Sequence, residues 1–210
     1  MLFQTKPELK LNFNIRIPRK SRIALFFSGS GSTVQAMLDQ IEMENIVIAI
    51  SSKKLAPGRI RAKRSGVAEK FFSFPADFDQ VLEFLIQQKI TAILLLGFMK
   101  FIPESFLKKW NAFGGSIYNI HPSLLPNFKG LNAFERSFEA KGDLGASIHV
   151  VWPELDAGPV LFRKKIISSD QIGKTTLACA KTWLRAGEQS MLRKMRSSFD
   201  PMAVADRDLL

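Results

Sequence analysis

The sequence predicts one α/β domain: a mostly parallel sheet flanked by helices, with an antiparallel C-terminal strand pair. Three observations predict it. Short apolar runs alternate with segments of helical periodicity along most of the 210 residues. The runs are almost continuously apolar, as strands covered on both faces are. The last two are joined by a connection around "PELDAG" that is too short for a parallel crossover.

The first strand is "RIALFFS" (22–28), which stops at "GSGS". A helix follows, with Val34, Met37, Leu38 and Ile41 at helical spacing. "NIVIAIS" (45–51) is the second strand, and the Pro57-Gly58 turn opens a basic helix ending near Gly66. "PADFDQVLEFLIQQK" reads as a helix opened by Asp77, turning Phe78, Val81, Leu82 and Leu85 inward. "ITAILLLG" (90–97) is the most apolar run and is expected at the centre of the sheet. A short helix near 103–110 precedes the strand "GSIYNI" (115–120). Then come an irregular loop, a helix over 131–141, and strands over 145–152 and 159–167. A final helix over 174–197 carries Leu177, Leu184, Met191 and Met195 on one stripe. Residues 1–20 are expected as an arm, 21–200 as the domain and 201–210 as a tail.

With 46% hydrophobic and 23% charged residues, the composition is that of a globular protein. No apolar run reaches bilayer-spanning length, and the N-terminus lacks the apolar centre of a secretory signal. A single cysteine, Cys179, forms no internal disulfide, so a reducing, cytoplasmic setting is expected. The net charge of +11 favours anionic partners. Residues 53–64 hold six Lys/Arg and no acid, as a solvated helix face or an anion-binding surface would.

In parallel sheets ligands bind beyond the C-terminal strand ends, which selects residues 28–33, 51–58, 97–101 and 119–130. "FFSGSGST" has glycines and hydroxyls where a strand meets a helix, suited either to a phosphate or to a capped turn. It lacks the third glycine of a dinucleotide site and the Lys of a Walker loop. Asn119 and His121 stand two apart, so a strand running to its end points both to one side. An amide donates to an oxyanion, and an imidazole donates or trades a proton. Taken alone, the pair is better explained by a strand-end histidine bonded to backbone. His149 lies within a strand. Asp156, in "ELDAGP", is either a turn former or a carboxylate that orients a histidine. Two histidines and one cysteine make no zinc set, and no metal is expected.

With "NIHPSLLP", "ELDAGPV", "GFMKFI" and "FFSGSGS" all present, residues 22–195 resemble the formyltransferases that use 10-formyltetrahydrofolate. The resemblance implies a Rossmann-like formyltransferase fold. It also implies formyl transfer to the amine of glycinamide ribonucleotide in purine biosynthesis, by direct attack and without metal. Asn119 and His121 would stabilise the oxyanion, and Asp156 would orient His121 and move protons. Phe98, Met99, Lys100, Phe101, Ile102 and His149 would meet the folate. Gly31, Ser32 and Thr33 would hold the substrate phosphate. Two departures bear on the amine. Thr33 stands where the family usually has Asn. Leu184 stands where a Glu usually holds the ribose, leaving Glu188, one turn later, as the candidate. The same chemistry on an amino sugar nucleotide, or a folate-binding relative without catalysis, are the alternatives. Relatives acting on tRNA, or hydrolysing the folate, normally carry a further domain. Small-molecule partners are expected, and neither membrane nor nucleic acid.

Overall fold

The computed structural model describes residues 21–39 and 45–197, as backbone only from residue 193. The expected arm 1–20 and tail 201–210, Ile41, and the side chain of Met195 lie outside the described residues. In chain order the elements are β1 (Ile23–Phe27), α1 (Ser32–Leu38), β2 (Ile46–Ser51), α2 (Pro57–Arg64) and β3 (Ala68–Phe71). Next are α3 (Phe78–Gln87), β4 (Ala92–Leu95), α4 (Glu104–Ala112), β5 (Ser116–His121) and α5 (Ala133–Glu139). The chain closes with β6 (Leu144–Val150), β7 (Val160–Ile167), α6 (Ser169–Ile172) and α7 (Leu177–Ser197).

The strands form one seven-stranded sheet in the order β3-β2-β1-β4-β5-β6-β7. Pairing is parallel from β3 to β5 and antiparallel for β5–β6 and β6–β7. Every residue of β1 is fully buried, because alternate side chains serve two cores. Leu25 and Phe27 pack with Val34 and Met37 of α1 and Leu192 of α7. Ala24 and Phe26 pack with Val81 and Leu85 of α3 and Trp110 of α4. α7 covers β6 and β7 through Ala180, Leu184 and Met191.

The expected α/β architecture is present, with three differences. β3 is an additional strand: its AEKF sequence is short and charged, as edge strands that resist further pairing are. Antiparallel pairing begins one strand earlier than expected, at β5–β6, through the long excursion 122–143 that carries α5. A short additional helix, α6, precedes the last one, which begins at Leu177. Ser168 and Gln171 cap the short α6 reciprocally, and the Thr176 hydroxyl accepts the Cys179 N–H at the start of α7.

Candidate active site

The site is assembled where β5 outruns β4. Strand geometry persists to His121, so Asn119 and His121 do share one side. Antiparallel pairing sets His149 directly across from Asn119 and Ser147 across from His121. Cross-strand partners of this kind have their side chains in contact. The Asn119 Nδ2 lies 3.1 Å from His149 Nε2.

Asp156 comes from the β6–β7 connection. Its backbone is left-handed, with φ 50°, a conformation Asp tolerates better than most residues. The side chain does not bond its own turn. Oδ2 accepts the Gly130 N–H at 2.8 Å and lies 3.3 Å from His121 Nδ1, while Oδ1 lies 3.4 Å from His149 Nε2. The carboxylate thus sits between both histidines of the chain. Burial pushes its pKa up, but His149, the Gly130 N–H and the His121 charge outweigh that and hold it below the usual carboxylate value.

His121 is 4% exposed. Its Nε2 is 2.9 Å from the Phe128 carbonyl, which can only accept. Burial lowers the imidazole pKa, with the Phe128 carbonyl and Asp156 acting in the opposite direction. The loop over this imidazole is tied down from several sides. The Ser147 hydroxyl donates to the Ser123 carbonyl and accepts the Leu125 N–H. Arg163 donates to the Leu125 carbonyl, and Arg136 to that of Lys129. Sequence reasoning misses the Phe128 carbonyl, the Gly130 N–H and the Ser147 hydroxyl as parts of the site. Of these only Gly130, the one glycine of its loop, carries a signal in the sequence.

The other expected site residues divide. Met99 and Phe101 are 66% and 64% exposed and, with the exposed Lys100, line the strand-end surface. Ile102 is buried, with its side chain in the core cluster that holds Phe106. Phe98 is only partly available, since its ring packs edge-on to Phe26 and Phe74. His149 is 1% exposed, and its ring nitrogens face the Val150 carbonyl, Asn119 and Asp156. The 98–102 segment is anchored by Ser28, whose hydroxyl accepts the Met99 N–H at 2.8 Å and pairs with the Ser52 hydroxyl at 2.6 Å.

Gly31 precedes α1 with φ 71°, and a Cβ there would come within 2.5 Å of Gly58 Cα on α2. The glycine is required by this close approach whatever binds above it. Ser32 and Thr33 open α1, and the Arg61 Nε donates to the Ser30 carbonyl at 2.9 Å. Leu184 is 7% exposed within the α7 core stripe. Glu188 is half-buried one turn later, without a hydrogen bond among the described residues, and burial raises its pKa to about 7 against the opposing charge of Arg185. No cluster of three or more His, Cys, Asp or Glu suited to a metal occurs among the described residues. No described helix is long and apolar enough to cross a membrane.

An amide, two imidazoles and a carboxylate gathered at one strand end of a doubly covered α/β sheet make a candidate enzyme active site. Residues 21–180 match the formyl transferase family model, and the chain belongs to that family. It is 34% identical over 169 residues to the trifunctional purine biosynthetic protein adenosine-3 of Bos taurus, covering 75% of this chain and 16% of that protein. It is 33% identical over 156 residues to the phosphoribosylglycinamide formyltransferase of Haemophilus influenzae, covering 69% of this chain and 72% of that enzyme. The crystal structure of phosphoribosylglycinamide formyltransferase from Anaplasma phagocytophilum superposes with a TM-score of 0.74 at 29% identity, over 84% of this chain and 85% of that one. The chain thus spans about a sixth of the length of its trifunctional relatives.

Proposed function

We propose that the protein transfers a formyl group from 10-formyltetrahydrofolate to the amine of glycinamide ribonucleotide, in purine biosynthesis in the cytoplasm. One observation carries the reading: Asn119, His121 and Asp156 converge at the end of β5 within a chain of the formyl transferase family. Asn119 donates an amide N–H to the oxyanion that develops at the formyl carbon. His121 donates its Nε2–H to the same oxygen once that N–H leaves the Phe128 carbonyl. Asp156 faces His121 Nδ1, so a proton taken up by the imidazole is stabilised by the carboxylate.

Met99, Lys100 and Phe101 form the folate-facing surface, with Phe98 contributing its free edge. The Gly31–Ser32–Thr33 backbone, beside Arg61, receives the phosphate. Glu188 is the candidate for the ribose hydroxyls. The test is direct. Purified protein, 10-formyltetrahydrofolate and glycinamide ribonucleotide are combined, and the formylated amide is followed by mass spectrometry.

One observation favours a second reading. Leu184 is buried in the cluster that holds Phe134 and Ile148, and its side chain has no group that could accept from ribose hydroxyls. The same transfer to another amine, such as an amino sugar nucleotide, accommodates this. Turnover with that amine and none with glycinamide ribonucleotide would select it. Folate binding without turnover of any amine would select a relative that has lost catalysis.

A further inference from the structure

The His149 ring reaches both Asn119 and Asp156. Its Nδ1 lies 2.9 Å from the Val150 carbonyl. A carbonyl only accepts, so Nδ1 carries a proton. In a neutral imidazole the other nitrogen then holds a lone pair and accepts. Two groups approach it: the Asn119 amide nitrogen at 3.1 Å and the Asp156 Oδ1 at 3.4 Å. The amide supplies a donor at the shorter distance; the carboxylate, an acceptor at 3.4 Å, favours a second proton on Nε2 instead, so the two neighbours compete to set the state of the ring.

A terminal amide has two N–H bonds and one oxygen, and the two ends look alike in shape. Something must decide which end faces the substrate. With the lone pair on His149 Nε2, the amide nitrogen must face it, since the amide oxygen there would set acceptor against acceptor. One Asn119 N–H is then spent on His149, and the second is left for a substrate oxygen.

We infer that His149 is a positioning residue: as the neutral tautomer protonated at Nδ1, it locks the Asn119 amide so that an N–H faces the reacting carbonyl. The inference rests on the formyl-transfer reading for its catalytic consequence, though not for its geometry. The chain builds the lock from backbone pairing. His149 stands opposite Asn119 in the β5–β6 register, and the Val150 carbonyl, on the next residue, fixes the proton on Nδ1. The ring is 1% exposed, so it is shielded from bulk solvent. The opposite arrangement is a doubly protonated ring donating Nε2–H to Asp156. It would draw the Asn119 oxygen toward Nε2 and turn both N–H groups of the amide away from the ring.

Two measurements test this. The first needs no activity: the ¹⁵N spectrum of the folded protein at pH 7 assigns the His149 tautomer. A neutral ring protonated at Nδ1 is expected, and a proton on Nε2 overturns the inference. The second is a double-mutant cycle on formyl transfer. His149→Leu should lower kcat about tenfold to a hundredfold, a partial loss compared with that for removing an oxyanion donor, with the folate KM nearly unchanged. His149→Gln, which keeps an acceptor, should recover much of that. On an Asn119→Ala background, His149→Leu should cost nothing more. Additive losses, or a KM rise matching the kcat fall, overturn the positioning role. A wild-type protein inactive on every amine instead overturns the formyl-transfer reading, and the spectrum still decides the tautomer.

Discussion

His121 Nδ1 lies 3.3 Å from Asp156 Oδ2, while the opposite nitrogen of the same ring faces the Phe128 carbonyl at 2.9 Å. Both partners are acceptors. A neutral imidazole has one N–H and satisfies only one of them, whereas an imidazolium satisfies both. Burial works against the imidazolium, so the resting ring is neutral, yet its partners are arranged for the charged form. A group built this way takes up a proton during a reaction and returns it afterwards. That is the behaviour required when an attacking amine must shed a proton.

Asp156→Asn tests the partnership. The amide keeps the size of the side chain but removes the charge that stabilises the imidazolium. The kcat for formyl transfer should fall by about 10²–10⁴, while folate affinity, measured by fluorescence quenching, should change by less than about threefold. Equal losses in both would assign Asp156 to binding.

The lowered His121 pKa makes two signed predictions. The unfolded side chain titrates near 6.5 and the folded one lower, so between those values the unfolded state binds more protons. The histidine therefore contributes stability fully above pH 6.5, and loses it as pH falls through the folded value. Urea denaturation across pH 5–8 should show this slope, and His121→Gln should flatten it. In parallel, kcat/KM should rise with pH along a limb whose midpoint is below 6.5 and be level from there to pH 8. A midpoint above 6.5 would contradict a buried neutral base.

Much of this arrangement is legible in the amino-acid sequence, and the reason is local. Asn119 and His121 are two apart on a strand, and period-2 geometry alone aligns them. The β1 and β4 runs are buried on both faces, so near-continuous apolar sequence marks them. What the sequence leaves open depends on partners far along the chain. Asp156 reads equally well as a turn former, because its partner Gly130 is 26 residues away. The burial of His149 is not legible locally, because it depends on β6 pairing antiparallel with β5. The burial of Ile102 is not legible either, because an apolar residue after a strand end looks the same whether it turns out or in. β3 is silent because an edge strand of four residues carries charge where a core strand carries apolar residues.

Gly31 and Gly29 provide a contrast within one loop. Gly31 has φ 71°, which costs an L-residue about 1–2 kcal/mol, and a Cβ there would meet the α2 backbone. A Cβ on Gly29 meets nothing within 4 Å. Gly31→Ala should lower Tm by at least about 4 °C, whereas Gly29→Ala should leave it within about 1–2 °C. Calorimetry on both variants decides. Equal effects would mean that the loop does not pack on α2 as described.

Glu188 has a sign opposite to that of His121. Burial raises its pKa from 4.5 to about 7, so between those values the folded state binds more protons than the unfolded one. Stability from this group is fully present below pH 4.5 and is lost as pH rises through about 7. A carboxyl left half-buried on α7 without a hydrogen bond among the described residues is a candidate ligand contact. Glu188→Gln should remove the loss and stabilise the protein at pH 8 by on the order of 2–3 kcal/mol. If Glu188 holds the ribose, the same change should raise KM for the nucleotide amine about tenfold with little change in kcat. A stabilised variant with an unchanged KM would remove Glu188 from the substrate site and leave the ribose without an acidic partner on α7.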